Sequence, residues 1–594
     1  MPMSWIMRTR ARASWARLSV SSKLHKHLSM PFQSMPVSEQ PPKLPVRTIK
    51  NVMVPMRDGV LLCSDVYLPK PNGRYPVILA RLPYGKREWG CSEPVKGRFW
   101  ARKGYAYVAQ DVRGKFKSGG VWDPFVNEVD DGFDTIDWIS QQPWCNGRVG
   151  MSGYSYMGYT TLAAAVSAHP SLVCASPGMT ATDIYGVWMY KGGAFCLRTM
   201  GSWLIGEDDR REQNDLLLDY WHLPLISLGE AAGLRDTHFR LSIEHPRRDS
   251  HWASINLNDR CRRIAIPMLH MGGWYDVFLK GTLDDWREMC THGKGAAEGN
   301  QWLVIGPDDH GSTQMSSGRI GRLEIGKSRV DKSVESMTGF FDYWLKGADN
   351  GFEKTKRVKI FVVGDNVWRD EARWPPGGTK PVNYYLHSGG KANSLSGDGM
   401  LSTKPPASEP SDTYIHDPSD PVRQSLDEVP WYLAQFMKDR SQTERRLDVL
   451  VYTSAELLSD LEVTGPISLR LYASSTSDTT DFMAKLVDVF PDGYAHMVQE
   501  GVLRTSSMPS DAAGYRGISA ATLELDIDLA ATSHVIKAGH KARVEISSSD
   551  FNRYDRNQNA SGSYGREVSC EKATQTVYHD SEHPSSIVLP IVPR

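Results

Sequence analysis

The sequence predicts an α/β domain interrupted by a helical insertion and followed by an all-β domain. Three observations carry this. Before residue 182, strand-like apolar runs alternate with helical stretches, the mark of a parallel sheet covered on both faces. From about 182 to 262 the segments turn helical and amphipathic, then the strand pattern resumes. From about 357 the apolar period shifts to two.

Taken in order, residues 1–47 form an N-terminal extension, ended by the Pro-rich "PPKLPV". Arginines 8, 10, 12 and 17, several serines and no acid before Glu39 fit a mitochondrial transit peptide. A plain tail or an early start codon is the alternative. The first part of the α/β domain spans 48–181. It holds the strands "YPVILARL" and "GYAYVAQD", a helix from near Glu128 through Trp138 and Ile139, the strand "RVGMS" and the helix "YTTLAAAVSA". The helical cap spans 182–262 and includes "DLLLDYWHLPLI". The second part, 263–356, carries the strands "IPMLHMGGWYD" and "QWLVIGPDDH". The remainder, 357–594, alternates apolar and polar residues. Leu523, Leu525, Ile527 and Leu529 against Glu524, Asp526 and Asp528 is the clearest case. This predicts a β sandwich of the jelly-roll kind.

Composition narrows the function. The 594 residues carry a formal net charge of +0, which gives no pull toward nucleic acid. Eight cysteines stand singly, without a C-x-x-C pair, so free thiols in a cytosolic protein are the simpler reading. No apolar run reaches 18 residues, so no membrane helix is expected. Eighteen tryptophans suit a pocket for flat organic ligands.

The chemistry centres on "GYSYMG", residues 153–158. It nearly spells the G-x-S-x-G elbow of an α/β-hydrolase, but the second glycine comes at +3. Ser155 between a strand and a helix is either a nucleophile or a helix N-cap. Asp276 and His310 each stand just beyond a strand, in the order Ser, Asp, His. Asp276 could instead cap a helix, and His310 could simply be solvated.

The motifs "RLPYGK", "QDVRG", "WCNGRVGMSGYSYMG", "GGWYDVF" and "IGPDDH" resemble the cocaine esterase group of X-Pro dipeptidyl-peptidase-like serine hydrolases. The β region, with "TDFMAKLVDVFPDG" and "ATSHVIKAGHKARVEISSSDFNRYDRN", is similar to that family's jelly roll. The resemblance covers nearly everything after residue 48. It implies an α/β-hydrolase fold and an elbow with glycine at +3. It implies Ser155 as nucleophile, His310 as base and Asp276 as orienting acid. It implies an oxyanion hole from the Tyr156 backbone N–H and the Tyr84 hydroxyl, and an acyl pocket of Trp188, Trp203 and Phe278. Trp203 fits less well, being shifted by one against the family pattern. No metal or organic cofactor is implied. The expected partner is a small-molecule ester, with neither nucleic acid nor membrane, and a homodimer is left open. The location implied is cytoplasmic, with the mitochondrion as alternative. An X-Pro dipeptidyl-peptidase, an α-amino-acid ester hydrolase or a non-catalytic binding protein are the rival functions. The sequence departs from the family at Asp308, where an aromatic is usual, and a second carboxylate, Asp309, adjoins it. Both are expected to face solvent.

Overall fold

The computed structural model describes residues 45–69, 73–88, 92–209, 218–311, 318–326, 332–423, 439–507, 521–560 and 562–594. The proposed transit segment therefore lies almost wholly outside the described residues.

Strands β1 (Arg47–Pro55), β2 (Leu61–Leu68), β3 (Tyr75–Leu82), β4 (Ala106–Asp111), β5 (Cys145–Tyr154) and β6 (Leu172–Gly178) begin the α/β sheet. A two-residue hairpin, β7 (Tyr190–Lys191) and β8 (Ala194–Phe195), lies outside it. Strands β9 (Met268–Tyr275) and β10 (Gln301–Asp309) resume the sheet, and Val358–Val362 and Val367–Glu371 complete it. The order is β1-β2-β4-β3-β5-β6-β9-β10, then the last two. From β4 to Val358–Val362 every pairing is parallel. Strand β3 shows why its sequence is an unbroken apolar run. Val77 and Leu79 enter one core with Tyr159 and Leu162, while Ile78, Ala80 and Leu82 enter another with Trp100 and Phe341. Both faces are covered, so neither parity of the strand can be polar.

Helices α1 (Glu93–Arg102), α2 (Glu128–Ser140) and α3 (Tyr156–Val166) link the first strands. The segment between β6 and β9 is mostly helical, as its composition predicts. It contains α4 (Ser202–Asp209), α5 (Leu228–Ala231), α6 (Thr237–Glu244) and α7 (Ser250–Ile255). Its β7–β8 hairpin was not foreseen, because two-residue strands leave no periodicity to read. Helix α8 (Leu279–His292) follows β9.

The C-terminal part is all β. The long strand Leu461–Ser475 pairs on its two sides with Leu523–Ile536, Ala573–Tyr578 and Ser586–Val592. In Leu523–Ile536 the residues Leu525, Ile527 and Leu529 are buried, and Glu524, Asp526 and Asp528 are exposed. The alternation in sequence is thus the alternation of the pleat. This part docks on the α/β sheet. Val363 donates to the Ser533 carbonyl at 2.9 Å and accepts from the Val535 N–H at 2.9 Å.

Candidate active site

Strand β5 turns into α3 at Ser155, whose backbone sits at φ 60°, ψ −129°. For a residue with a Cβ this is a strained conformation, and it projects the hydroxyl from the turn. The glycines around it are required by contact. A Cβ on Gly153 would lie 2.4 Å from the Met157 Cβ. A Cβ on Gly158 would lie 2.8 Å from the Gly178 carbonyl oxygen and 2.7 Å from Thr180. The glycine at +3 is therefore where α3 crosses the end of β6.

Ser155 is not a bystander cap, since its side chain makes no cap hydrogen bond. Its Oγ lies 3.0 Å from Nε2 of His310. Nδ1 of the same imidazole lies 2.6 Å from Oδ2 of Asp276. The Asp276 side chain is fully buried, and its other oxygen accepts the Phe278 N–H at 2.7 Å. Ser155, His310 and Asp276 thus form one continuous chain of hydrogen bonds, assembled from the ends of β5, β10 and β9.

Beside the serine stand the two predicted tyrosines. Burial pushes the Tyr84 hydroxyl far above its ordinary pKa, and the charge of Glu207 adds to this. Hydrogen bonds with Trp203 and Ser155 act in the opposite sense without reversing it. The hydroxyl therefore keeps its proton and can donate. Tyr156 opens α3. Its hydroxyl donates to Glu128 at 2.9 Å and accepts from the Phe125 N–H at 2.9 Å. These bonds clamp the residue whose backbone N–H points out of the helix N-terminus. Buried Glu128 is itself paired with Arg81 at 2.6 Å.

The three predicted pocket aromatics converge. The Trp188 and Phe278 rings are 4.3 Å apart, Trp188 and Trp203 6.3 Å, and Phe278 meets His310 edge-on at 5.1 Å. Trp203, shifted in sequence, is nonetheless in the cluster. Residues that the sequence reading missed complete the wall. Phe125 touches Tyr156, Tyr159, Trp188 and Trp203. Lys115 lies over the Trp122 ring and pairs with Glu207. "QDVRG" pointed to their loop, but nothing in it marked these side chains.

Asp308 and Asp309 do not face solvent, contrary to expectation. They are 2% and 4% exposed. Strand β10 continues through them and pairs Asp309 with Tyr275 of β9, which carries both carboxylates into the interior. Among the described residues no three His, Cys, Asp or Glu side chains gather at metal-ligand spacing, and no helix is long and apolar enough to cross a membrane.

Comparison with known proteins agrees with this architecture. Residues 58–312 match the model of the X-Pro dipeptidyl-peptidase (S15) family, and residues 350–588 match the X-Pro dipeptidyl-peptidase C-terminal non-catalytic domain. The chain is 36% identical over 577 residues to the cocaine esterase of Rhodococcus sp. (strain MB1 Bresler), covering 92% of this chain and 98% of that one. Among solved structures it is similar to an aminopeptidase from a marine sediment Thaumarchaeota archaeon, with a TM-score of 0.80, 25% identity and coverage of 95% and 99% of the two chains. It is also similar to an α-amino acid ester hydrolase, with a TM-score of 0.78, 25% identity and coverage of 92% and 96%. Both family matches and the near full-length identity place the same two parts, hydrolase and β domain, in the same order, and the chain belongs to the cocaine esterase group of the S15 family of serine hydrolases.

Proposed function

We propose that the protein is a carboxylesterase that hydrolyses small esters with a bulky, flat acyl group through an acyl-enzyme on Ser155. The observation that carries this is the hydrogen-bonded chain Ser155–His310–Asp276, with the serine on a strained elbow. His310 takes the Ser155 proton as the hydroxyl attacks the ester carbonyl, and returns it to the leaving alcohol. Asp276 holds the imidazole in the required orientation. The oxyanion that forms is met by the Tyr84 hydroxyl and the Tyr156 N–H. Water then repeats the sequence on the acyl-enzyme. Trp188, Trp203 and Phe278 receive the acyl group, and their mutual packing favours an aromatic one.

Amino-acid amides or esters are the second reading, favoured by the aminopeptidase and the α-amino acid ester hydrolase among the similar structures. Such substrates carry an ammonium that needs a carboxylate. After Asp276 come buried Val277 and Phe278, and the next acid, Asp284, is already bound to Lys280 and Arg287. This supports the ester reading. The domain limits proposed are 48–181, 182–262, 263–356 and 357–594. Among the described residues seven cysteines are unpaired, which supports a reducing compartment, the cytosol. Fluorescent fusions with and without residues 1–47 test it against import into mitochondria.

Ser155→Ala is expected to abolish both burst and turnover of p-nitrophenyl esters in a folded protein. Activity within tenfold of the parent would remove Ser155 as nucleophile. Parallel rates on aryl esters and amino-acid anilides separate the two substrate readings, with the esters expected to be faster.

A further inference from the structure

The cap sends a lysine to the turn that follows Asp276. Lys191 ends strand β7, and its Nζ donates to the carbonyl oxygen of Val277. That carbonyl belongs to the peptide unit whose N–H, on Phe278, donates to Asp276 Oδ1 at 2.7 Å. One line of hydrogen bonds therefore runs from the lysine ammonium, through the Val277–Phe278 peptide, to Asp276, His310 and Ser155.

The backbone of Lys191 is fixed from outside the cap. Its neighbour Gly192 has φ +50°, and a Cβ there would lie 1.8 Å from the Val502 carbonyl oxygen. The Gly192 carbonyl accepts the Arg504 N–H at 2.7 Å. Lys191 is half-buried and lines a cavity of about 150 Å³ with Asp276, Lys280, Glu500, Arg553 and Tyr554.

We infer that Lys191 is a positioning residue for the catalytic serine, acting on Asp276 through the Val277–Phe278 peptide. The inference rests on the reading of Ser155, His310 and Asp276 as the triad. The ammonium orients that peptide and draws electron density toward the Val277 oxygen. The Phe278 N–H becomes a stronger donor to Asp276, as in any polarised chain of hydrogen bonds.

Lys191 titrates within reach of experiment. Burial pulls its pKa down to about 8, against upward pulls from Cys196 and Asp276, and Arg553 lowers it further. The other charged groups lining the cavity are Lys280, Glu500, Asp526 and Asp528. Glu500 is engaged by Arg553 and Lys485, and Asp528 by Lys280.

The test is the pH profile of kcat/KM on an aryl ester for the full chain, Lys191→Met and Lys191→Arg. The parent should show a partial alkaline decline near pH 8 as the lysine loses its charge. Lys191→Met should lose roughly tenfold in kcat from the looser Asp276 turn. It should also lack the alkaline step. Lys191→Arg, with a charge that persists, should keep most of the rate and lose the step. A side chain that merely supports the fold would lower the rate equally at every pH. An alkaline step still present in Lys191→Met overturns the inference. If that variant does not fold, a step persisting near pH 8 in Lys191→Arg does so alone. Ser155→Ala in the same assay separates the two readings. If it is active, the triad reading falls. If it is dead while the lysine variants behave as the parent, only the present inference falls.

Discussion

Tyr84 is neutral, and this decides what its removal should cost. A hydroxyl that keeps its proton donates weakly to a ground-state carbonyl and strongly to an oxyanion. Tyr84→Phe should therefore lower kcat by about 10²–10³ and leave KM nearly unchanged, the signature of a donor used in the transition state. Steady-state kinetics on one aryl ester checks it, and an unchanged kcat would move the donor elsewhere. At this scale the sequence exposed residues whose meaning is set by chain position. Ser155, Asp276 and His310 stand at three strand ends in order, and the structure brings them within 3.0 Å of one another in sequence of contact. Lys191, Lys115 and Glu207 were illegible because their partners come from other elements. No spacing along the chain relates Lys191 to Val277, 86 residues away. Asp308 and Asp309 misled for the opposite reason. Two adjacent carboxylates look solvated, yet both parities of a covered strand point inward.

Among the elements, the cap is tied to the sheet by a charged latch. His238 of α6 lies 2.5 Å from Asp208 at the end of α4 and 3.5 Å from Asp123, in the loop that carries Trp122 and Phe125. Burial alone would lower its pKa, but the hydrogen bonds it donates to Asp123 and Asp208 override this and raise it to about 9. A histidine raised in the fold from 6.5 contributes stability that is complete below pH 6.5. That contribution is lost as pH rises through about 9. The shift is worth roughly 3 kcal/mol at most. Thermal stability should therefore fall between pH 6.5 and 9, and His238→Gln should flatten that slope. Calorimetry across this window checks it. A parent slope that survives the substitution would assign it to another group. The helices of the cap were legible as a change of composition. The latch was not, since it joins three segments separated by up to 115 residues.

On the scale of the molecule, the β domain is fastened to the cap by buried charge. Arg504 binds Asp481 at 2.8 Å and Asp555 at 2.9 Å, and Asp555 accepts the Phe195 N–H at 2.8 Å. All three charged side chains are 5% exposed or less. Removing the cation leaves two carboxylates buried without it, which typically costs about 3–5 kcal/mol. Arg504→Met should lower the midpoint of denaturation accordingly, and esterase activity should disappear with the first transition. Activity outlasting that transition would show the cap standing without the β domain. The two-domain layout itself was plain in the sequence, because period two and period 3.6 occupy different stretches. Their joint was not, because its contacts obey neither period.

The joint between Phe195 and Asp555 spans 360 residues of chain. A ribosome adds about 5–20 residues per second, so roughly 20–70 s separate the synthesis of the two partners. During that interval the serine, the elbow and most of the sheet already exist, but the hairpin bearing Lys191 has nothing to lie on. Newly made chains should thus pass through a long silent stage in which Ser155 is present and the turn after Asp276 is unsupported. Catalytic competence arrives late and at once, when the final strands leave the exit tunnel and close over a cap made long before them.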